Sequence, residues 1–146
     1  GDLRNWVEGW IDWNIVLDET GGPNHVGNFC DAPIIGDTRS GDVHYNSSYW
    51  YIGHFSRFVP PGSVRISSVD SSDESNLRHC AFETPSGAVT TVIMNESDAD
   101  ATVDLQILTE GDEDQEPTRT VPTTTSDSRT TVQLELPGHS IVTAVS

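Results

Sequence analysis

Carboxylates crowd the first part of this 146-residue chain, at Glu8, Asp12, Asp18, Glu19, Asp31 and Asp37. Two of them held across one pocket could share acid and base roles. Their setting is an apolar run, Trp10-Ile11, Trp13 and Ile15-Val16-Leu17, which only Asp12 and Asn14 interrupt. Such a run over Gly9–Leu17 predicts a strand covered on both faces, as in a parallel sheet. Asp12 then stands inside apolar surroundings, and a buried carboxylate needs a partner, either an arginine or another donor. Asp18 and Glu19 fall past the strand and read as solvated loop acids. Gly21-Gly22-Pro23-Asn24 must turn the chain. The loop beyond it carries Asn28, Phe29 and Asp31 before Pro33. Polar groups just past the C-terminal end of a buried parallel strand are where barrel enzymes keep their chemistry.

Other reactive side chains are less well arranged. His25, His44, His54, His79 and His139 show no His-x-x-x-His spacing, and Cys30 and Cys80 form no Cys-x-x-Cys, so no metal site is expected. The two cysteines fall in different layers and read as separate small apolar groups rather than a bridge. His54 sits in Gly-His-Phe-Ser and reads as a packing residue between a helix and the domain that follows it. Asn46-Ser47-Ser48 and Asn95-Glu96-Ser97 are glycosylation sequons at Asn46 and Asn95, in a number close to chance.

The elements that position these residues read in two textures. Gly1–Val7 leads in, with Trp6 and Val7 starting the strand. Asp18–Asn46 reads as an ordered loop of about 28 residues, anchored by Val26, Phe29, Ile34 and Ile35, with Tyr45 packing back. Asn46–Val59 reads as a helix, with Tyr51, Ile52, Phe55, Phe58 and Val59 on one face. Asn46, Ser47 or Ser48 can cap it, and Pro60-Pro61-Gly62 stops it. Strand, loop and helix make one β/α unit. From Ser63 onward, short alternating strands are separated by polar turns: Val64–Val69, Leu77–Phe82, Ala88–Met94, Ala101–Leu108, Thr130–Leu136 and Ser140–Val145. Residues 110–128 read as an acidic, Thr-rich loop around one irregular strand. This spacing predicts an antiparallel sandwich. The fold class is therefore mainly β, with residues 1–60 a β/α unit and 61–146 the sandwich.

Charge narrows the partners. The net charge is -16, and all seven basic residues are arginine. Nucleic acid needs a basic footprint, and an anionic membrane would repel this surface. The plain reading is a solvated acidic surface, the sharper one an adaptation to salt or acid. No apolar run approaches the ~20 residues of a membrane span.

Three motif groups carry a resemblance. They are Gly9-Trp10-x-Asp12-Trp13-Asn14 through Gly21-Gly22-Pro23-Asn24 to Asn28-Phe29-x-Asp31-x-Pro33-Ile34-Ile35, then Tyr51-x-Gly53-His54-Phe55-Ser56-Arg57-Phe58-Val59-Pro60-x-Gly62-Ser63-x-Arg65, and Leu136-Pro137-Gly138-His139-Ser140-Ile141-Val142-Thr143. Together they resemble the last barrel strand, last helix and sandwich of glycoside hydrolase family 30, of the glucosylceramidase type. The resemblance is strong from Trp6 to Arg65. It implies a retaining β-glycosidase on a (β/α)8 barrel with a C-terminal sandwich, acting on β-glucosides such as the sphingolipid glucosylceramide, without a cofactor. It also implies a secreted or lysosomal setting.

In that family two glutamates, one acid/base and one nucleophile, stand at the ends of the fourth and seventh strands. Both would lie upstream of Gly1, so the resemblance assigns no catalytic residue to this chain. One β/α unit cannot enclose a sugar between two carboxyls ~5 Å apart, so an independent pair is not expected. What the resemblance does assign is part of the sugar wall: Trp13 beside the glucose ring, Asn28 toward its hydroxyls, and Phe29 next to it. The pattern departs at His25, where the type usually has Trp, and at Gly27, where it often has Arg. Both changes reshape the loop rim and leave other β-glycosides open as substrates. The expected partner is the upstream barrel portion, without which the apolar strand and helix face would be sticky. The alternative is a non-catalytic sandwich module that binds glycan or a partner protein.

Overall fold

The computed structural model describes residues 2–71, 76–108 and 130–146. A 3-10 turn at Asp2–Asn5 leads to β1 (Val16–Asp18), β2 (Ile34–Gly36) and β3 (Val43–Tyr45), a three-stranded sheet in that order. The pairing of β1 with β2 is parallel, Leu17 opposite Ile35, and β3 closes antiparallel on β2. Leu17 is fully buried.

The strand expected over Gly9–Leu17 is thus confined to its last residues. Asn14 has φ 48°, in the left-handed region, where an extended ladder cannot continue. A ladder also needs a partner, and β2 offers three residues. Trp10, Ile11, Trp13 and Ile15 are consequently exposed, Ile11 at 96%. Asp12 is exposed too in this chain, and its Oδ1 accepts the Trp13 N–H at 2.8 Å. Trp6 and Val7 do not start the strand. Trp6 lies instead beneath the Arg65 guanidinium, 3.7 Å from its ring centre.

The predicted long loop carries two strands of its own. Ile34-Ile35 and Val43 to Tyr45 pair across a turn closed by Asp37 N–H to Asp42 O (2.9 Å) and Gly41 N–H to Asp37 O (2.8 Å). Tyr45 packs back as expected, its ring centre 4.7 Å from that of Tyr49. Val26 and Phe29 do not act as anchors, since both are exposed.

Helix α1 (Ser47–Phe58) follows the predicted span within its cap residues. Asn46 holds the N-cap backbone position, but its side chain makes no capping bond. Beyond it lie β4 (Val64–Ile66), β5 (Leu77–Glu83), β6 (Val89–Asn95), β7 (Ala101–Ile107), β8 (Thr130–Leu136) and β9 (Ser140–Val145). These are the six antiparallel strands read from the alternation, in sheets ordered β4-β5-β6-β9 and β7-β8. The irregular strand expected within 110–128 lies outside the described residues. Register puts Phe82 opposite Thr90 and Cys80 opposite Val92, so these four share one face. The helix covers that face. Phe55 meets Phe82 edge-on at 6.4 Å, and Thr90 Oγ1 donates to Phe58 O at 3.0 Å. The other face of β6 is buried as well, through Thr91, Ile93 and Asn95. Along β7, partly buried Ala101, Val103, Leu105 and Ile107 alternate with exposed Thr102, Asp104 and Gln106. That period of two presents one apolar face inward.

Candidate functional site

The loop that leaves β1 is built by side chains bonding to backbone. Asp18 Oδ1 accepts from Thr20 N–H (2.8 Å), Thr20 Oγ1 (2.7 Å) and Gly22 N–H (2.8 Å). These donors, the Thr20 hydroxyl foremost, hold its pKa below the usual carboxylate value. Gly21 turns the chain at φ 80° and lies so close to Phe29 and Cys30 that a Cβ there would collide with their backbone. Asn24 then crosses the loop. Its Nδ2 donates to Gly21 O and to Asn28 O, both at 2.8 Å, while its Oδ1 accepts from Val26 N–H (3.2 Å) and Gly27 N–H (2.6 Å).

The far end is pinned to the start of α1. Asn46 Nδ2 donates to Asp31 Oδ1 and to Ala32 O, each at 2.7 Å, and Asn46 N–H bonds Pro33 O at 2.9 Å. This is why Asn46 does not cap its own helix. The same bonds engage the amide nitrogen of this sequon. Asn95 contradicts its sequon more strongly. It is 1% exposed, and its Nδ2 faces Ala99 O, Leu136 O and Pro137 O, so a glycan there is incompatible with the packed state.

Of the residues assigned to the sugar, Asn28 and Phe29 stand between these pins and Trp13 precedes β1. Trp13 is 71% exposed, Phe29 83% exposed, and Asn28 is exposed as well. Asn28 Nδ2 has a long contact to Cys30 Sγ at 3.8 Å, which leaves most of its donor capacity for a ligand. Two clefts flank α1. One, about 570 Å3, lies between Trp10, Asp12 and Ile15 on one side and Trp50, His54 and Arg57 on the other. The second, about 510 Å3, is bordered by Leu3, Phe55, Cys80, Phe82, Met94 and Ile141. Trp13, Asn28 and Phe29 line neither.

Two of the carboxylates named above are engaged in turns. Glu19 accepts from Thr38 N–H and Oγ1, and Asp37 from the N–H groups of Arg39 and Ser40. Backbone donors, Thr38 for Glu19 and Arg39 for Asp37, hold both pKa values low. A general acid needs the opposite shift. These are turn-locking acids, and Asp18 and Glu19, expected as solvated loop acids, are more engaged than that. His54 Nδ1 lies 2.8 Å from Thr143 Oγ1, joining α1 to β9, and burial lowers its pKa. It is the packing residue expected. Cys30 and Cys80 are free thiols, and burial pushes that of Cys80 up, toward an inert form. Among the described residues no cluster of side chains could hold a metal ion, and no helix is long and apolar enough to cross a membrane.

The profile of the glycosyl hydrolase family 30 TIM-barrel domain matches residues 1–59, and that of the family 30 beta sandwich domain matches residues 62–144. The chain belongs to glycoside hydrolase family 30. It is 39% identical over 99 residues to a lysosomal acid glucosylceramidase of Mus musculus, covering 68% of this chain and 19% of that protein. Among solved structures, the endo-beta1,6-glucanase BT3312 superposes with a TM-score of 0.72 at 26% identity, over 98% of this chain and 28% of that one. SrfJ from Salmonella typhimurium gives 0.69 at 29% identity, over 92% and 25%. The chain spans about a fifth of the length of the curated relatives it matches.

The sequence marks Gly21 to Asn24 as a turn and as part of the family motif, with no role for any one of its side chains. Sequence reasoning missed Asn24 as the brace of the loop. An Asn after Gly-Gly-Pro is the available signal, because an Asn amide can bond backbone on both sides of a turn.

Proposed function

We propose that this chain is the C-terminal portion of a retaining β-glycosidase for β-glucosides. In this reading residues 1–60 complete the barrel and residues 61–146 form the sandwich. The two catalytic carboxylates come from the upstream barrel, one protonating the leaving oxygen and one forming the glycosyl-enzyme. Trp13, Asn28 and Phe29 supply part of the wall of the sugar pocket. An aromatic face suits the C–H side of a pyranose, and an uncommitted amide suits its hydroxyls. The observation that carries the reading is that Trp13, Asn28 and Phe29 are exposed, the last two on a tightly braced loop that leaves a parallel strand.

Substrates of the relatives set the range. One is named for glucosylceramide and another for β1,6-glucan. A glucoside or glucosylated lipid therefore fits the reading, in a lysosomal or extracellular setting. The test is steady-state hydrolysis of a chromogenic β-glucoside by the full-length protein, with Trp13→Ala and Asn28→Ala beside wild type. Each variant should lose at least about tenfold in kcat/KM, the effect of removing one stabilising contact worth ~1.4 kcal/mol. Unchanged kcat/KM in both would remove these residues from the pocket.

A further inference from the structure

We propose that Asn24 is a positioning residue for sugar binding: its side-chain amide sets where Asn28 and Phe29 stand. The proposal rests on the reading of those two residues as sugar contacts. The loop has an outgoing arm ending at Gly21 and a returning arm through Asn28, Phe29 and Cys30. Asn24 Nδ2 donates to a carbonyl on each arm, Gly21 O and Asn28 O, at 2.8 Å. Its Oδ1 holds the turn between them through Val26 N–H and Gly27 N–H, and Gly27 takes φ 68° there. One side chain therefore fixes both arms and the tip.

The contacts of the neighbours make this brace matter. Phe29 is 83% exposed, so packing does not fix its ring. Asn28 has a 3.8 Å sulfur contact as its side-chain partner. The direction of both side chains must then come from the backbone. Gly21 supplies the close approach, since a Cβ there would stand 2.8 Å from Phe29 Cα. Asn24 supplies the bonds that hold it. Asp18 organises only the near turn, through Thr20 and Gly22, and Asp31 only the far end, through Ala32 and Asn46. Asn24 alone among these three bonds both arms. An aspartate at this position keeps the acceptor but has no N–H to give. It would also set a carboxylate oxygen against two carbonyls.

The test compares the full-length enzyme with Asn24→Ala, Asn24→Asp, Asn28→Ala and the double variant Asn24→Ala/Asn28→Ala. Two readouts are taken: kcat/KM on a chromogenic β-glucoside, and hydrogen exchange of the 25–30 amides by mass spectrometry. Each Asn24 variant should lose about 10- to 100-fold in kcat/KM, since a ~1 Å misplacement can cost the larger figure. The double variant should lose clearly less than the product of the two single losses, because Asn24 acts in part through Asn28. Exchange at 25–30 should quicken at least about tenfold in both Asn24 variants, with β5 and β6 unchanged. Asn24→Asp keeps the volume and the acceptor, and guards against a fold lost in the alanine variant. Losses that multiply in the double variant overturn the proposal, and so do unchanged exchange rates. A wild type inactive on β-glucosides, or a fully active Asn28→Ala, overturns the sugar reading and with it the catalytic half of this one. The exchange rates then still decide the brace.

Discussion

Replacing Asn95 by alanine should be among the most damaging changes in the sandwich. Its amide sits at the end of β6, 1% exposed, where the two sheets meet. Nδ2 lies 2.8 Å from Ala99 O and 3.2 Å from both Leu136 O and Pro137 O. Oδ1 takes Ser97 N–H at 3.0 Å and Ser97 Oγ at 2.7 Å. Two N–H groups cannot fully serve three carbonyls, so about four bonds count. At roughly 1 kcal/mol for each net bond, with a stranded buried group costing about 1–3 kcal/mol, Asn95→Ala should cost about 3–5 kcal/mol. That is a large share of the ~5–15 kcal/mol that holds a domain together. Asn95→Asp keeps the shape but turns an anion toward three carbonyls. Its folded pKa would be raised, so its deficit against wild type should be smallest at low pH and grow as pH rises through that value. The assay is urea unfolding of the full-length protein, read at the sandwich by pulse proteolysis. A loss below about 1 kcal/mol for Asn95→Ala would refute this account of how the sheets are joined.

Two further outcomes follow from the same structure. Phe82→Ala removes a buried ring that faces Phe55, and should cost about 3–5 kcal/mol in the same unfolding assay. Acid should loosen the loop between Asp18 and Ser40 before the sandwich. The folded pKa values of Asp18, Glu19 and Asp37 are lowered by backbone and hydroxyl donors. Their contribution is therefore complete above the ordinary values of 3.8 and 4.5 and is lost as pH falls through the lower folded ones. Limited proteolysis across this range should show cleavage in the loop only on the acid side. Cleavage that is already full at pH ~6 would contradict it.

The sandwich was legible because its physics is local. Val103, Leu105 and Ile107 alternate with polar residues in sequence and alternate in burial. Helix α1 was legible for the same reason, its apolar spacing and the Pro60-Pro61 stop both being properties of neighbours in the chain. The first strand was misread because its apolar residues signal burial without saying what buries them. Trp10 and Ile11 stay exposed where no partner strand pairs with them, and Asn14 turns the backbone left-handed. The small strands β2 and β3 were read as loop because three-residue strands carry almost no periodicity. Asn46 and Asn95 illustrate a different gap. A sequon records which residues adjoin an Asn, whereas the bonds of these amides run to Asp31 and Leu136, far along the chain.

The central claim is that this chain shapes the sugar pocket while carboxylates elsewhere in the protein do the chemistry. A 2-deoxy-2-fluoroglucoside with a good leaving group tests it most directly, because it traps the glycosyl-enzyme of a retaining glycosidase. Full-length protein treated with this reagent should gain one fluoroglucosyl group, and peptide mapping should place it on a glutamate outside residues 1–146. Asn28→Ala should slow the labelling. A protein that takes up no label, or one labelled within these residues, would contradict the account.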